Sequence, residues 1–135
     1  MIVVDTSAVL DALVASPRHE ELAKRLAGED DLHAPHLIDV EFLHVLRRLV
    51  IVGELSVERA ADARLDFADL TMMRYPHHPL ADRMWQLRHN LTAYDAAFIA
   101  LSEALDAPLV TTDARLAAGP GHNARIELYG AAPDG

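Results

Sequence analysis

Four carboxylates constrain this chain more than any other feature. Asp5, Glu41, Asp95 and Asp113 each stand where a globular domain would bury an apolar side chain or close a strand. Asp5 ends the apolar run Met1-Ile2-Val3-Val4, and Asp113 follows Leu109-Val110 and two threonines. Glu41 and Asp95 interrupt apolar helix faces. At i±3 and i±4, Glu41 has Leu37, Ile38, His44 and Val45, and Asp95 has Leu91, Thr92, Phe98 and Ile99. Residues at those spacings share one side of a helix, and an ionised carboxylate left unpaired there costs several kcal/mol. Acids gathered at strand ends and helix starts also repel one another unless a cation joins them, and a hard divalent ion is the economical choice.

A plainer account gives each acid its own partner: Arg47 or Arg48 for Glu41, Arg88 for Asp95, and helix N-capping for Asp5 and Asp113. For any one acid this account serves as well; for four together a shared cation needs fewer coincidences. Asp11, Asp30, Asp31 and Asp39 read as ordinary solvated acids of helices or turns.

Hydrophobic patterning distributes these acids over alternating elements. Met1 to Val4 reads as a buried strand, with Thr6-Ser7 capping a helix from Ala8 to Ala15 that Pro17 breaks. A polar helix from Arg18 to Ala27 and a short strand from Leu32 to Ala34 follow. Pro35 opens a helix over His36 to Val52, stopped by Gly53; Ser56 starts another that runs to Asp69. Next come a strand at Thr71 to Tyr75, helices over Pro79 to His89 and Ala93 to Leu105, and strands at Leu109 to Thr112 and Arg125 to Tyr129. Gly130 to Gly135 reads as a disordered tail. Such alternation predicts an α/β domain with a mostly parallel central sheet and helices on both faces. Ligands of such sheets sit outside the carboxyl ends of the strands, the edge that Asp5 and Asp113 occupy. A chain of 135 residues is one domain, and 51% hydrophobic content suffices for its core.

Composition removes several classes. Without cysteine there is no disulfide framework, thiolate zinc site or thiol nucleophile. No G-x-x-x-x-G-K-[ST] or G-x-G-x-x-G is present, and Ser7 lacks a G-x-S-x-G setting. His77, His78 and His89 lie near a Pro-flanked turn without HExxH and read as surface histidines. Lys24 is the sole lysine and lies too early for a receiver domain or a haloacid-dehalogenase phosphatase. No apolar run approaches the roughly 18 residues of a membrane span, and no signal-peptide pattern opens the chain. The expectation is a cytoplasmic protein without membrane association. A net charge of −9 opposes nucleic-acid binding, although a divalent ion on the acids would offset part of it. The remaining acidity suits a basic protein partner.

The order of these residues is familiar: D-T-S after the first strand, a glutamate in the third helix, then T-A-Y-D-A-A-F-I-A-L-S-E-A-L-D-A-P-L-V-T-T-D-A-R-L from Thr92 to Leu116. The chain resembles the PIN domain, and specifically the VapC toxins of bacterial toxin–antitoxin pairs. That resemblance implies a PIN-like three-layer domain over residues 1–129. It also implies a Mg²⁺- or Mn²⁺-dependent endoribonuclease that hydrolyses RNA phosphodiesters with metal-activated water, a homodimer restrained by a cognate VapB-type antitoxin. The family's metal-binding, catalytic acids fall on Asp5, Glu41, Asp95 and Asp113, and its supporting hydroxyls on Thr6 or Ser7 and on Thr112. Some members carry a further acid after the last aspartate. Here Ala114-Arg115-Leu116 follows, which leaves a second tightly held metal unsupported. The alternative is a PIN-like module that binds RNA or protein without cutting.

The helix from His36 to Val52 is apolar on more than one stripe, including Leu37, Ile38, Val40, Phe42, Leu43, Val45, Leu46 and Leu49 to Val52. A helix packed only on its own sheet needs one such face, so the surplus is expected to meet another chain, the antitoxin. The helices over Pro79 to His89 and Ala93 to Leu105 are expected to serve the homodimer, with Trp85 and Phe98 as anchors.

Overall fold

The computed structural model describes residues 1–14 and 19–130. Five short strands form its centre: β1 (Ile2–Val4), β2 (Leu32–Pro35), β3 (Met72–Tyr75), β4 (Leu109–Thr111) and β5 (Ile126–Leu128). All pair in parallel, in the order β3-β2-β1-β4-β5. The chain works outward from β1 to β3, then returns to lay β4 on the other side of β1. That reversal opens a crevice at the carboxyl ends of β1 and β4, the usual ligand position in open α/β sheets.

Seven α-helices connect the strands among the described residues: α1 (Thr6–Leu13), α2 (Glu20–Ala27), α3 (Leu37–Ile51), α4 (Val57–Asp69), α5 (Ala81–Gln86), α6 (Ala93–Leu105) and α7 (Ala114–Ala118). β1 is entirely buried, and α6 packs against β1, β2 and β4. Its residues Ala96 to Ser102 are buried without a break, as befits a helix enclosed on every side. On α3, Ile38, Phe42 and Leu46 point inward, and Phe42 stacks on Phe67 of α4 with ring centroids 4.1 Å apart.

The expected alternation is present, with three local differences. First, α1 starts at Thr6 because Asp5 is its cap, accepting the Ala8 N–H at 2.9 Å. Secondly, the helix expected over Pro79 to His89 divides into a 3₁₀ turn at His78–Leu80 and the short α5. The N–H groups of Asn90 and Leu91 both return to the Leu87 carbonyl, turning the chain into α6. Thirdly, α7 follows Asp113 directly, five residues being too few for periodicity to announce. The end of the first helix at Ala15, the break at Pro17, the start at Arg18 and residues 131–135 of the expected tail lie outside the described residues.

Candidate active site

Asp5, Thr6, Ser7, Glu41, Asp95 and Asp113 line one cavity of about 450 Å³. Four elements bring them there: the β1–α1 junction, α3, the first turn of α6 and the β4–α7 junction. Leu10, Val45 and Phe98 supply apolar lining, while Asp11, His44, Arg48 and Arg115 complete the polar part.

Asp5 is held most firmly. Only 6% of it is exposed, and one carboxylate oxygen accepts from Ser7 Oγ at 2.8 Å and the Ala8 N–H at 2.9 Å. The other accepts from Thr111 Oγ1 at 2.5 Å. These bonds favour the ionised form, yet desolvation is the larger effect and, with repulsion from Asp113, pushes the carboxyl up to about 6. Glu41 accepts from Thr6 Oγ1 at 2.7 Å. Burial raises its pKa first, then repulsion from Asp95, against the opposing pull of the Thr6 bond and His44. Asp95 is raised in the same way, by burial and by Asp113, against the opposing charge of Arg115. Repulsion thus links Asp5, Glu41, Asp95 and Asp113 into one electrostatic unit.

Private ion pairs do not account for this unit. Among the described residues Arg25 pairs with Glu29 and Glu127, Arg74 with Asp39, Arg83 with Glu103 and Arg125 with Asp106. Arg88 turns to Trp85, its carbonyl and its ring. Among the described residues neither Glu41 nor Asp95 has an arginine or lysine at ion-pair distance, contrary to the one-partner account. That account holds for capping: Asp5 caps α1, and Asp113 caps α7 by accepting from Arg115 N–H at 2.9 Å and Leu116 N–H at 3.4 Å. Arg115 also reaches Asp113 at 3.3 Å, but it is 85% exposed.

Sequence reasoning placed two groups imperfectly. Thr112 Oγ1 donates to Asp11 at 2.7 Å and does not line the cavity, whereas Thr111, the last residue of β4, holds Asp5. The one-residue offset follows from the pleat, because successive strand side chains face opposite ways. Asp11 and Asp39 are not solvated bystanders: Asp11 lines the cavity, and Asp39 is bound through both oxygens by Arg74 at 2.7 and 2.9 Å. Their partners, Thr112 and Arg74, are distant in sequence, so no local signal marks them.

The four carboxylates and the Thr6 and Ser7 hydroxyls are oxygen donors that suit a hard divalent ion, and a cation would relieve the raised carboxyls of Asp5, Glu41 and Asp95. Among the described residues no three His, Asp or Glu side chains are gathered closely enough to hold an ion as they stand. Placing them on one ion therefore requires side-chain rotation into the cavity.

A family model described as PIN domain matches residues 2–121. The chain belongs to the PIN domain family. Within it, this PIN domain groups with the VapC proteins. It is 47% identical to Ribonuclease VapC1 of Mycobacterium tuberculosis over 127 residues, covering 93% of this chain and 96% of that one. Identity to Ribonuclease VapC12 of the same organism is 40% over 128 residues, covering 95% and 98%. Two crystal structures share the fold. PAE2754 from Pyrobaculum aerophilum superposes with a TM-score of 0.70 at 24% identity, covering 93% of this chain and 81% of that one. VapC20 of Mycobacterium tuberculosis, described as a sarcin-ricin loop cleaving toxin, gives 0.65 at 19% identity, covering 87% and 94%.

Proposed function

We propose that this PIN domain is an endoribonuclease of the VapC toxin type, hydrolysing RNA phosphodiesters with Mg²⁺ or Mn²⁺ held by Asp5, Glu41, Asp95 and Asp113. The observation that carries this reading is the set of four acids around one cavity: Asp5, Glu41 and Asp95 have carboxyls raised by burial and mutual repulsion, and those same three make no ion pair among the described residues. The relatives named Ribonuclease VapC support the reaction class. A bound divalent ion supplies positive charge against the phosphoryl oxygens and makes a coordinated water more acidic.

The chain's own groups prepare for that chemistry. Ser7, Thr111 and the Ala8 N–H fix both oxygens of Asp5, and Thr6 fixes one oxygen of Glu41. Each carboxylate so held loses less freedom when it meets a ligand. Leu10, Val45 and Phe98 keep part of the cavity apolar, which strengthens electrostatic interactions inside it.

Attack by water leaves a 5′-phosphate and a 3′-hydroxyl. Incubating the protein with cellular RNA, then ligating adapters that require a 5′-phosphate, is expected to yield cleavage ends with Mg²⁺ and none in EDTA. Undiminished cleavage in EDTA, or ends carrying 2′,3′-cyclic phosphate, would contradict the proposal. RNA binding without any cut ends would favour the non-cleaving module instead.

The same reading supplies a VapB-type antitoxin, a second copy of the chain and a cytoplasmic setting; among the described residues no helix is long and apolar enough to cross a membrane. Part of α3 is unburied: Val40, Leu43 and Ile51 are exposed. Leu43, Val50 and Ile51 join Val57 of α4 along an apolar groove of about 390 Å³, which Arg47 and Arg64 also line. This groove suits an apolar helix of the antitoxin. Its two arginines favour carboxylates on that helix, a local preference opposite to the one drawn from whole-chain acidity. Phe98 is buried and lines the acid cavity, so it cannot anchor a dimer as expected; Trp85 and Tyr94 are exposed and available.

Purification from the native host is expected to bring a small companion with the wild-type chain but not with Leu43→Asp. Because Leu43 is exposed, the variant's melting temperature should be unchanged. A monodisperse wild-type monomer without a companion would defeat the partner assignment.

A further inference from the structure

Any RNA entering this cavity brings negative charge to a chain whose formal net charge is −9. Coulomb repulsion must therefore be met by local cations, in addition to any divalent ion. Few arginines are placed to help. Arg25, Arg74, Arg83 and Arg125 are ion-paired elsewhere, Arg59 donates to the Val14 carbonyl, and Arg88 is engaged with Trp85. Arg47 and Arg64 line the apolar groove between α3 and α4. Only two arginines line the acid cavity among the described residues, Arg48 and Arg115.

We infer that Arg48 and Arg115 hold the RNA backbone at this site, binding phosphates beside the acids and so setting substrate affinity. This rests on the ribonuclease reading above. Arg48 lies seven residues beyond Glu41, two helical turns along the same face and roughly 10 Å further on. It is exposed and makes no ion pair among the described residues. Its guanidinium thus offers the cavity an uncommitted fork suited to phosphate oxygens. Arg115 is committed only weakly: a single 3.3 Å contact to Asp113 from a side chain that is 85% exposed. Exposed pairs of this kind exchange partners readily. Both residues act by positioning the substrate, and neither needs to touch the reacting atoms.

The test measures binding of a fluorescein-labelled, mixed-sequence single-stranded RNA by anisotropy across a salt series. It uses Asp5→Asn protein with Mg²⁺ present, so that the probe stays intact. Arg48→Gln and Arg115→Gln are each expected to weaken binding several-fold and to flatten the slope of log affinity against log salt by about 0.7, the single-strand value for one lost phosphate contact. The double variant should lose about twice that slope. Arg47→Gln is the control, a chain neighbour of Arg48 that faces the other groove, and should leave the slope unaltered. With cleavage-competent protein and cellular RNA, the loss should fall on KM rather than kcat.

Unchanged slopes for both cavity arginines, or an equal loss for Arg47→Gln, would overturn the inference while leaving a cleaving wild-type protein as a ribonuclease. A wild type that neither binds nor cuts RNA would take both readings down. All three arginines are exposed, so matching thermal melts should accompany each outcome.

Discussion

Replacing Asp5 by Asn is expected to lower RNA cleavage about a thousandfold or more while making the protein free of divalent ions more stable. The loss follows if Asp5 is a metal ligand, because an amide offers one weaker donor oxygen in place of a charged pair. The gain follows from burial. Asp5 has its carboxyl raised from 3.8 to about 6, so the folded state binds its proton more tightly than the unfolded chain does. The stability this group provides is full below pH 3.8 and is lost as pH rises through about 6. At about 1.4 kcal/mol per pKa unit, ionised Asp5 costs the metal-free fold roughly 3 kcal/mol at neutral pH. Asn removes that cost but satisfies Ser7, Ala8 and Thr111 less completely, so a net gain of about 1–2 kcal/mol is expected.

Urea unfolding in EDTA at pH 7.5 measures this gain directly. Repeating it at pH 4 should shrink the difference, since Asp5 is then mostly protonated. Added Mg²⁺ should stabilise the wild type by binding only its folded state and should leave Asp5→Asn nearly unmoved. A variant that is less stable than wild type at pH 7.5 in EDTA, or that still cleaves RNA at the wild-type rate, would count against the role given to Asp5.

Phe42→Ala should have the largest effect on the fold itself. Phe42 is fully buried on α3 and stacks on Phe67 with the rings within 9° of parallel. Truncating such a ring leaves a cavity between α3 and α4, with an expected loss of about 3–5 kcal/mol. That is a large share of the roughly 5–15 kcal/mol by which domains are stable. Because Glu41 immediately precedes Phe42 on the same helix, cleavage should fall as well. Phe42→Leu retains most of the volume and should recover much of both. The comparison separates packing from chemistry: urea midpoints and activity should move together across these two variants, whereas for Asp5→Asn they move apart. A Phe42→Ala protein with an unaltered midpoint would show that the α3–α4 contact contributes little.

The strands and helices were legible because each is a local pattern. The β-branched run Ile2-Val3-Val4 closed by Asp5 marked β1, Pro35 and Pro76 marked the ends of β2 and β3, and Ser56 and Thr92 stand as the caps of α4 and α6. Four acids against apolar helix faces or at strand ends were conspicuous for the same reason. Burial of charge is improbable without a purpose, and that improbability can be read without coordinates. Short elements were read only in outline: the helix expected over Pro79 to His89 contains the turn at His78–Leu80 and the six residues of α5, and the capping expected of Asp113 starts an α7 of five residues, whose bounds periodicity could not set.

The sequence alone therefore determined the α/β class and the four acids, since both depend on residue type at fixed local spacing. Tertiary structure decided what those acids touch. Asp5 meets Thr111 across 106 positions of chain, Glu41 meets Thr6 across 35, and Asp11 meets Thr112 across 101. Such pairings depend on which strands lie side by side and on the face each side chain takes. Parallel pairing of β1 with β4, in register at Val4 and Val110, is the step that joins the two ends of the chain into one site.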